Sequence, residues 1–277
     1  RDGIRVGASQ SISPVSGTIT YYGDGSNLDG VESGVVNFVA SGVIANGATV
    51  VINTDGTVGI VTLTTSNTPS AGDPVVFGNA AAYGSSTYDP DSGKVIIAYS
   101  DGTNSGYCTA VVGTVSGTDI SFGNPVVFES ANCDYFSVVY DTTNDKVVIC
   151  YQDYGNSKYG TARVGTVSGD TISFGNAAVF ESNQVRYVSA AYDSTNSKVV
   201  IFYRTQVAPN YSGYGIVGTV SGTTISFGSP TIFLNQYNEN NSATFDSTND
   251  KVVVAYLDDS NSDYGTAIVG TVSGTDI

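Results

Sequence analysis

The sequence contains no histidine, no methionine and no tryptophan, and only 3 of its 277 residues are cysteine. Without histidine, the chain excludes every mechanism that needs an imidazole base or ligand, including Ser-His-Asp and Cys-His catalysis. The three cysteines also lack the spacing of a metal site. The commonest catalytic arrangements are therefore absent.

Positive charge and long apolar runs are scarce as well. Ten basic residues stand against 25 acidic ones, which leaves a net charge of −15. Such a charge repels nucleic acid and anionic membrane surfaces. No stretch supplies the roughly 18 consecutive apolar residues of a membrane helix. We expect neither a nucleic-acid partner nor membrane insertion.

The dominant feature that is present is an internal repeat. The run GTVSGTDISFGNPVVF begins at Gly113 and returns in close variants at Gly165, Gly218 and Gly270, at a period of 52 or 53 residues. A looser copy of its end, GDPVVF, occupies Gly72–Phe77. A period of this length is typical of a repeat architecture.

Each repeat reads as four strands, which in the second copy are Tyr135–Tyr140, Lys146–Gln152, Gly160–Val167 and Thr171–Phe180. The first two are nearly continuous apolar runs, which predicts burial on both faces. We therefore predict an all-β fold, a β-propeller of four-stranded antiparallel blades of about 52 residues with a small N-terminal β segment. A β-solenoid or a string of small sandwiches fits less well, since one repeat has too little core to stand alone.

Three parts of the chain are expected. Residues 1–33 form an N-terminal attachment or connector segment, 34–77 a β-hairpin lead-in or degenerate blade, and 78–277 three complete blades and a fourth without its last strand. Asn46-Gly47 and Asp55-Gly56, between β-branched runs, predict hairpins in the second part.

Closure of the propeller remains open at this point. A lone fourth strand is predicted at Asp73–Phe77, and it has the right place in the repeat to complete the last blade. The alternative is a chain from which further blades are missing, because four is the smallest usual number. The sequence favours neither.

The two faces of such a disc differ in sequence variation. The turn between first and second strands recurs as YDPDSGK, YDTTNDK, YDSTNSK and FDSTNDK, and its first Asp is expected to bond turn amides. Loops on the opposite face differ in every copy. This contrast is typical of a framework face and a recognition face, although drift of solvated loops gives the same pattern.

The varied loops are rich in Tyr, Asn, Ser and Asp, which suit glycans or protein epitopes. The candidate ligand-binding residues on this face are Asp101, Asp153, Tyr154, Arg186, Tyr187, Arg204, Tyr211, Tyr237 and Asp258.

Metal and catalytic sites have weaker signals. No cofactor is expected. Calcium is the metal to consider, because the side chains of this sequence offer oxygen ligands, which calcium prefers. Two clusters have suitable residues, namely Asp89, Asp91 and Ser92, and Asp258, Asp259 and Asn261. Paired carboxylates suffice for glycoside cleavage, but no repeat carries an isolated acidic residue in an apolar strand. We therefore expect no enzyme.

The cysteines occupy unequal repeat positions. Cys108 and Cys133 fall near adjoining connections of neighbouring repeats, so a disulfide between them is one option. Cys150 lies in the apolar run KVVIC and is expected to be a small buried residue.

One segment resembles a known family. The run YYGDGSNLDG at Tyr21–Gly30 is similar to a YGDGSNL-type motif of marine bacteriophage tail-fibre and virion structural proteins, as are the GTVSGT, ISFG and PVVF repeats. The resemblance implies a virion surface protein that displays a propeller for attachment to a host glycan or protein, docked to other virion subunits through its N-terminal segment. An extracellular or virion-surface location follows.

Two other functions remain in view. One is a secreted bacterial surface adhesin or extracellular filament subunit, and the other is a polysaccharide-cleaving enzyme.

Overall fold

The computed structural model describes residues 18–21, 36–40, 50–52, 57–60, 71–208 and 211–277. These residues form an all-β fold, as expected, with three single-turn 3-10 helices and no α-helix among them. The chain divides into two compact parts, Arg1–Ser70 and Ala71–Ile277. No helix in the described ranges has the length and hydrophobicity needed to cross a bilayer.

The first part contains a small sheet with the order β1-β2-β4-β3. Its strands are β1 (Thr18–Tyr21), β2 (Val36–Ala40), β3 (Val50–Ile52) and β4 (Thr57–Ile60). β3 and β4 pair antiparallel on either side of Asp55-Gly56, in agreement with the predicted hairpin. Asn46-Gly47 and most of the YGDGSNL-like segment lie outside the described residues.

The described residues of the second part form sixteen strands, in a 13-stranded sheet and a separate sheet of three. They are β5 (Ala81–Asp89), β6 (Lys94–Asp101), β7 (Tyr107–Ser116), β8 (Asp119–Phe122), β9 (Val126–Asp141), β10 (Lys146–Asp153), β11 (Tyr159–Ser168), β12 (Thr171–Phe174), β13 (Ala178–Asp193), β14 (Lys198–Thr205), β15 (Gly213–Ser221), β16 (Thr224–Phe227), β17 (Thr231–Leu234), β18 (Asn238–Asp246), β19 (Lys251–Asp258) and β20 (Tyr264–Gly270).

Four repeat units follow from the pairing of these strands. The strands that lie next to one another from unit to unit, here called innermost, are β5, the second half of β9, the second half of β13, and β18. The first halves of β9 and β13 instead pair with β7 and β11 of the preceding unit. Each long strand therefore leaves one unit as its outermost strand and enters the next as its innermost.

The outermost strand of a unit is interrupted. The predicted strand Thr171–Phe180 is divided between β12, which ends at Phe174, and β13, which begins at Ala178. Gly175 lies in the gap, and its amide donates to Val164 O at 2.9 Å. An added Cβ at Gly175 would lie 1.9 Å from Thr223 O of the next unit. Glycine is needed here because two backbones approach closely.

The hydrogen bonds of the repeated turns explain why the turn sequence recurs in every unit. Asp141 Oδ1 accepts from the amides of Thr143 and Asn144, both at 3.0 Å, as the sequence predicts. Neighbouring turns are also joined, because the Tyr192 hydroxyl donates to Thr143 Oγ1 at 2.7 Å. The residues of this face therefore link successive units as well as forming turns.

Innermost strands lie side by side, held by a repeated serine. Ser137 Oγ accepts from the amide of Ala190, and Ser189 Oγ from that of Ala243, each at 2.9 Å. The second strand is almost fully buried in the second and third units, and residues 147–151 of β10 are all inaccessible to solvent. The predicted burial of both faces is confirmed there. It is wrong for the first strands β5 and β18, which are largely exposed or half-buried because, in the described array, each has a neighbouring unit on one side only.

The described strands form an open array. Residues 71–77, which include the predicted strand Asp73–Phe77, lie in no strand. Phe77 packs instead on Tyr99 and Phe122 of the first unit, with ring centroids 5.2 and 5.7 Å apart. Within the described sheets, β20 pairs only with β19. The predicted alternative in which Asp73–Phe77 completes the last unit is therefore wrong for these residues.

Candidate functional site

A tyrosine with a left-handed backbone recurs at the same place in three units. The φ angles are 54° at Tyr83, 53° at Tyr135 and 51° at Tyr187, and Asn240 has 54° at the fourth position. Each position falls at a register shift in the innermost strand. Asparagine tolerates this conformation, whereas a bulky aromatic residue rarely adopts it. Such strain marks a place where the direction of a side chain matters.

The three rings stand next to one another, and we call them the tyrosine row. Centroids of Tyr83 and Tyr135 are 6.4 Å apart, and those of Tyr135 and Tyr187 are 5.2 Å apart. Tyr83 is 59% exposed, and the other two are half-buried. The bulges thus aim one aromatic ring per unit into a continuous, solvent-accessible series.

Arg204 lies at the end of this row and is fully buried. Its guanidinium carbon is 4.8 Å from the ring centroid of Tyr187 and 3.9 Å from that of Tyr237. Nη1 donates to Asn238 O at 2.8 Å. In the amide orientation that satisfies both groups, the Gln206 side-chain oxygen accepts from Nε at 3.1 Å and Nη2 at 2.8 Å. A cation can be buried here because its N–H donors have hydrogen-bond acceptors and its charge lies against two aromatic faces.

Glu239 supplies the counter-charge. Its Oε1 lies 3.5 Å from Arg204 Nη1 and accepts from the Tyr237 hydroxyl at 2.8 Å. The Tyr237 hydrogen bond lowers the pKa of Glu239, and Tyr187 and Arg204 add to the lowering against the effect of burial. Burial and the neighbouring Glu239 in turn raise the pKa of Tyr187 to about 12. Near neutral pH, Glu239 is thus a carboxylate and Tyr187 a hydrogen-bond donor.

A second acidic residue borders the row at the second unit. The Tyr154 hydroxyl donates to Asp134 Oδ2 at 2.8 Å, and burial together with this bond raises the pKa of Tyr154 to about 12. Tyr135 and Tyr83 act electrostatically on Tyr154, so the pair lies against the row. Lys158 Nζ is 4.6 Å above the Tyr154 ring. The tyrosine site, meaning the row with Asp134, Tyr154, Arg204, Tyr237 and Glu239, therefore has one carboxylate beside its middle and one at the Tyr187 end.

Most of the aromatic and basic candidates gather in this site. Tyr154, Tyr187, Arg204 and Tyr237 are members, and Tyr211 joins through a ring contact of 5.9 Å with Tyr237. Arg186 faces Arg204 across the β13–β14 ladder, and its charge acts on Tyr135.

The three aspartates among the candidates bond the backbone of their own loops. Asp101, Asp153 and Asp258 each precede a single-turn 3-10 helix and accept from an amide two residues on, at 2.8 to 3.1 Å. Short polar side chains cap turns in this way. Their repetition among the varied loops reflects loop geometry.

Four members of the site were not foreseen, namely Tyr83, Tyr135, Asp134 and Glu239. Tyr83, Tyr135 and Tyr187 recur at a spacing of 52 residues. That spacing was the available signal, but it gives no indication of a bulge with positive φ. Asp134 and Glu239 hold the same repeat position in the second and fourth units, where the first and third units have Ala82 and Arg186. The acidic pair therefore carries only a partial repeat signal.

The aspartates that begin the two predicted calcium clusters accept hydrogen bonds within their own turns. Asp89 accepts from the amides of Asp91 and Ser92 at 3.0 and 3.1 Å. Carboxylate oxygens of Asp89, Asp91 and Asp145 come within 4.8 Å of one another, and the Tyr140 hydroxyl donates to the latter two. In the other cluster, Asp258 accepts from Ser260 N and Oγ. Turn formation accounts for the bonds of Asp89 and Asp258, whereas the Tyr140 hydroxyl links Asp91 of one unit to Asp145 of the next.

Similarity to known proteins is found among solved structures but not at the level of sequence. No protein-family model matches the chain, and no curated protein is similar to it in sequence. Among solved structures, an exo-β-1,3-galactanase variant from Phanerochaete chrysosporium with β-1,3-galactotriose has a TM-score of 0.47 and 9% identity, covering 98% of this chain and 67% of the galactanase. The same galactanase with galactose has a TM-score of 0.46 and 8% identity, covering 96% and 68%.

These neighbours contradict two expectations. They are galactanases, whereas the sequence led us to expect a non-enzymatic virion or tail-fibre protein for host attachment. That function, and the expectation that the chain is no enzyme, are corrected accordingly. With scores this low, the likeness by itself assigns neither activity nor substrate to this chain.

The free energy of unfolding at acidic pH tests the role of Glu239 and its hydrogen bonds. Because the folded protein lowers the pKa of Glu239 from its ordinary 4.5, its stabilising contribution is present above that value and is lost as the pH falls through the folded pKa. We expect Glu239→Gln to lose less stability than the wild type between about pH 5 and pH 3, measured by urea unfolding. Asp119→Asn, at an exposed position outside the site, is the control. Parallel wild-type and Glu239→Gln profiles would contradict the assigned role.

Proposed function

We propose that the repeat units are blades of a β-propeller and that the tyrosine site binds a saccharide chain. The blade arrangement is supported by innermost strands that lie side by side through the Ser137 and Ser189 bonds, while β12 and β16 lie at the far edges of their units. In propellers the innermost strands surround the central axis. A bulge on each innermost strand would bring its side chain to one end of that axis.

The tyrosine row carries the saccharide proposal. Three rings at 6.4 and 5.2 Å provide flat apolar surface at low conformational cost, with hydroxyls as polar handles. Sugars present apolar C–H faces bordered by hydroxyls, which such a surface and the flanking carboxylates match. Binding sites combine apolar lining with a few placed polar groups in this way. Retention of left-handed tyrosines in three units further supports a function beyond folding.

Binding is tested with Tyr135→Ala, because Tyr135 contacts both other rings of the row. We expect its affinity for a bound polysaccharide to fall at least about tenfold, by affinity electrophoresis or calorimetry over a glycan panel. The matched control is Tyr88→Ala, which removes a tyrosine that is 58% exposed outside the site. Equal loss in both variants, or no binding by the wild type across neutral and acidic glycans, would refute the proposal.

Cleavage of the bound glycan is the second candidate function. The observation in its favour is the pair of carboxylates, Asp134 and Glu239, each hydrogen-bonded by a tyrosine of the site. Glycoside hydrolysis needs two such groups, one as acid and one as base or nucleophile. We expect new reducing ends from any polysaccharide that binds. Activity that survives in both Asp134→Asn and Glu239→Gln would exclude this pair.

A further inference from the structure

Two arginines lie directly opposite each other beside the tyrosine row. Arg186 of β13 is the register partner of Arg204 of β14. Directly opposite residues of an antiparallel pair project from the same face, with Cβ atoms about 5 Å apart, and like charges in this position repel. The third unit therefore holds a destabilising charge pair next to the candidate binding site.

The other three units avoid this repulsion. At the same register position, each of them has at most one charged residue. The pairs are Ala82 with Ser100, Asp134 with Gln152, and Glu239 with Leu257. The blade-like unit therefore forms without a cation at the position of Arg186, so folding does not account for that residue.

One of the two arginines has a counter-charge, and the other has none. Glu239 Oε1 lies 3.5 Å from Arg204 Nη1. Within the part of the chain that the structure describes, Arg186 takes part in no ion pair and no hydrogen bond, and the ion pairs found there involve other cations. Asp134, the other carboxylate of the site, already accepts from the Tyr154 hydroxyl at 2.8 Å. Arg186 is thus a half-buried guanidinium whose N–H donors are available.

The charge of Arg186 reaches the middle ring of the row. Burial raises the pKa of Tyr135, and the Arg186 charge acts in the opposite direction, ahead of the smaller effect of Arg204. Arg186 also directly precedes Tyr187, whose ring is 5.2 Å from that of Tyr135. A group bound by Arg186 would therefore belong to a molecule that lies on these rings.

We propose that Arg186 binds an oxyanion of the sugar chain, a carboxylate or a sulfate ester, so that the tyrosine site selects acidic over neutral saccharides. This inference rests on the proposed saccharide function. A planar guanidinium matches an oxyanion with two parallel hydrogen bonds, and such charge-assisted bonds are about twice as strong as neutral ones. The bound anion would also offset the repulsion between Arg186 and Arg204.

The test uses pairs of glycans that differ only in the charged group. The probes are polygalacturonate and alginate, each with its carboxyl-reduced form, and a sulfated galactan with its desulfated form. At about 0.15 M salt the net charge of −15 is screened beyond about 8 Å, so contacts at the site decide the difference. We expect calorimetry to show at least about tenfold tighter binding of one acidic member than of its neutral form. The member that is preferred identifies the oxyanion.

Arg186→Gln is the variant that isolates the charge, because glutamine keeps most of the apolar stem. Its affinity for the preferred acidic glycan should fall to that of the neutral form. The control is Lys146→Ala, which removes one positive charge from a repeated turn, where Lys146 Nζ donates to Asp145 O at 2.9 Å. This control should keep the preference. Without glycan, Arg186→Gln should melt no lower than the wild type, because it removes a like-charge pair.

Three results would overturn the proposal. The first is a wild type that binds neutral forms as tightly as acidic ones, and the second is an unchanged preference in Arg186→Gln. In both cases, loss of binding in Tyr135→Ala would still support the saccharide function, whereas a wild type that binds no probe would refute both. The third is a lower melting temperature of free Arg186→Gln, because the guanidinium would then be part of the fold.

Discussion

Arg204→Leu is expected to lower the free energy of unfolding by about 3 kcal/mol, because it removes a fully buried cation from its hydrogen-bond acceptors. Arg204 is inaccessible to solvent, and its guanidinium reaches Asn238 O, Gln206 and the faces of two tyrosines. Leucine leaves these acceptors unmatched, and an unsatisfied buried polar group costs about 1–3 kcal/mol. Urea unfolding measures the loss.

The chain itself provides the matched variant, Arg204→Gln. Gln152 holds the same repeat position in the second unit, and its Nε2 donates to Val185 O as Arg204 Nη1 donates to Asn238 O. Glutamine should therefore recover about 1 kcal/mol of the loss, the usual value of one hydrogen bond. It should not recover saccharide binding, which on our proposal needs the ordered Tyr187 and Tyr237 rings. A leucine variant as stable as the wild type would mean that desolvation of the cation offsets all its contacts.

The architecture was largely readable because the signals for strands are local. Continuous apolar runs such as KVVICY predicted a doubly buried second strand, and β10 is one. The Asp of each repeated turn was predicted to bond amides for the same local reason, and Asp141 does so. Such features need only a strand period and turn chemistry.

The site was only partly readable, because it depends on contacts between units. The sequence pattern predicts Arg204 in a varied loop, yet β14 continues through Thr205 and the next unit supplies Asn238 and Tyr237 to cover it. The bulge that turns Tyr135 into the row is a register shift, which has no residue signature when the residue is not glycine. The sequence pattern therefore could not predict burial of a residue by a neighbouring unit, or a strained backbone angle at a tyrosine.

Removal of the Cys108–Cys133 disulfide is expected to lower the free energy of unfolding by about 3 kcal/mol. The bond joins β7 to β9 across 25 residues, with Cα atoms 5.6 Å apart, so the pairing that the sequence offered as an option is present. Closing a loop of this length removes conformational entropy from the unfolded chain, which is the basis of the value. Both cysteines are fully buried, so they stay paired until the strands open.

The repeat again supplies the control that separates the bond from its packing. The second unit has Gly160 and Val185 at the matching positions, where the Phe180 ring covers the glycine. Cys108→Gly with Cys133→Val should therefore leave a packable junction and show the loss of the cross-link, measured by urea unfolding against the wild type with and without reductant. Cys150→Ala should leave the effect of reductant on stability as it is in the wild type, because Cys150 is free and forms no cross-link. If reductant leaves wild-type stability unchanged, the cross-link contributes nothing, and packing alone holds the first two units together.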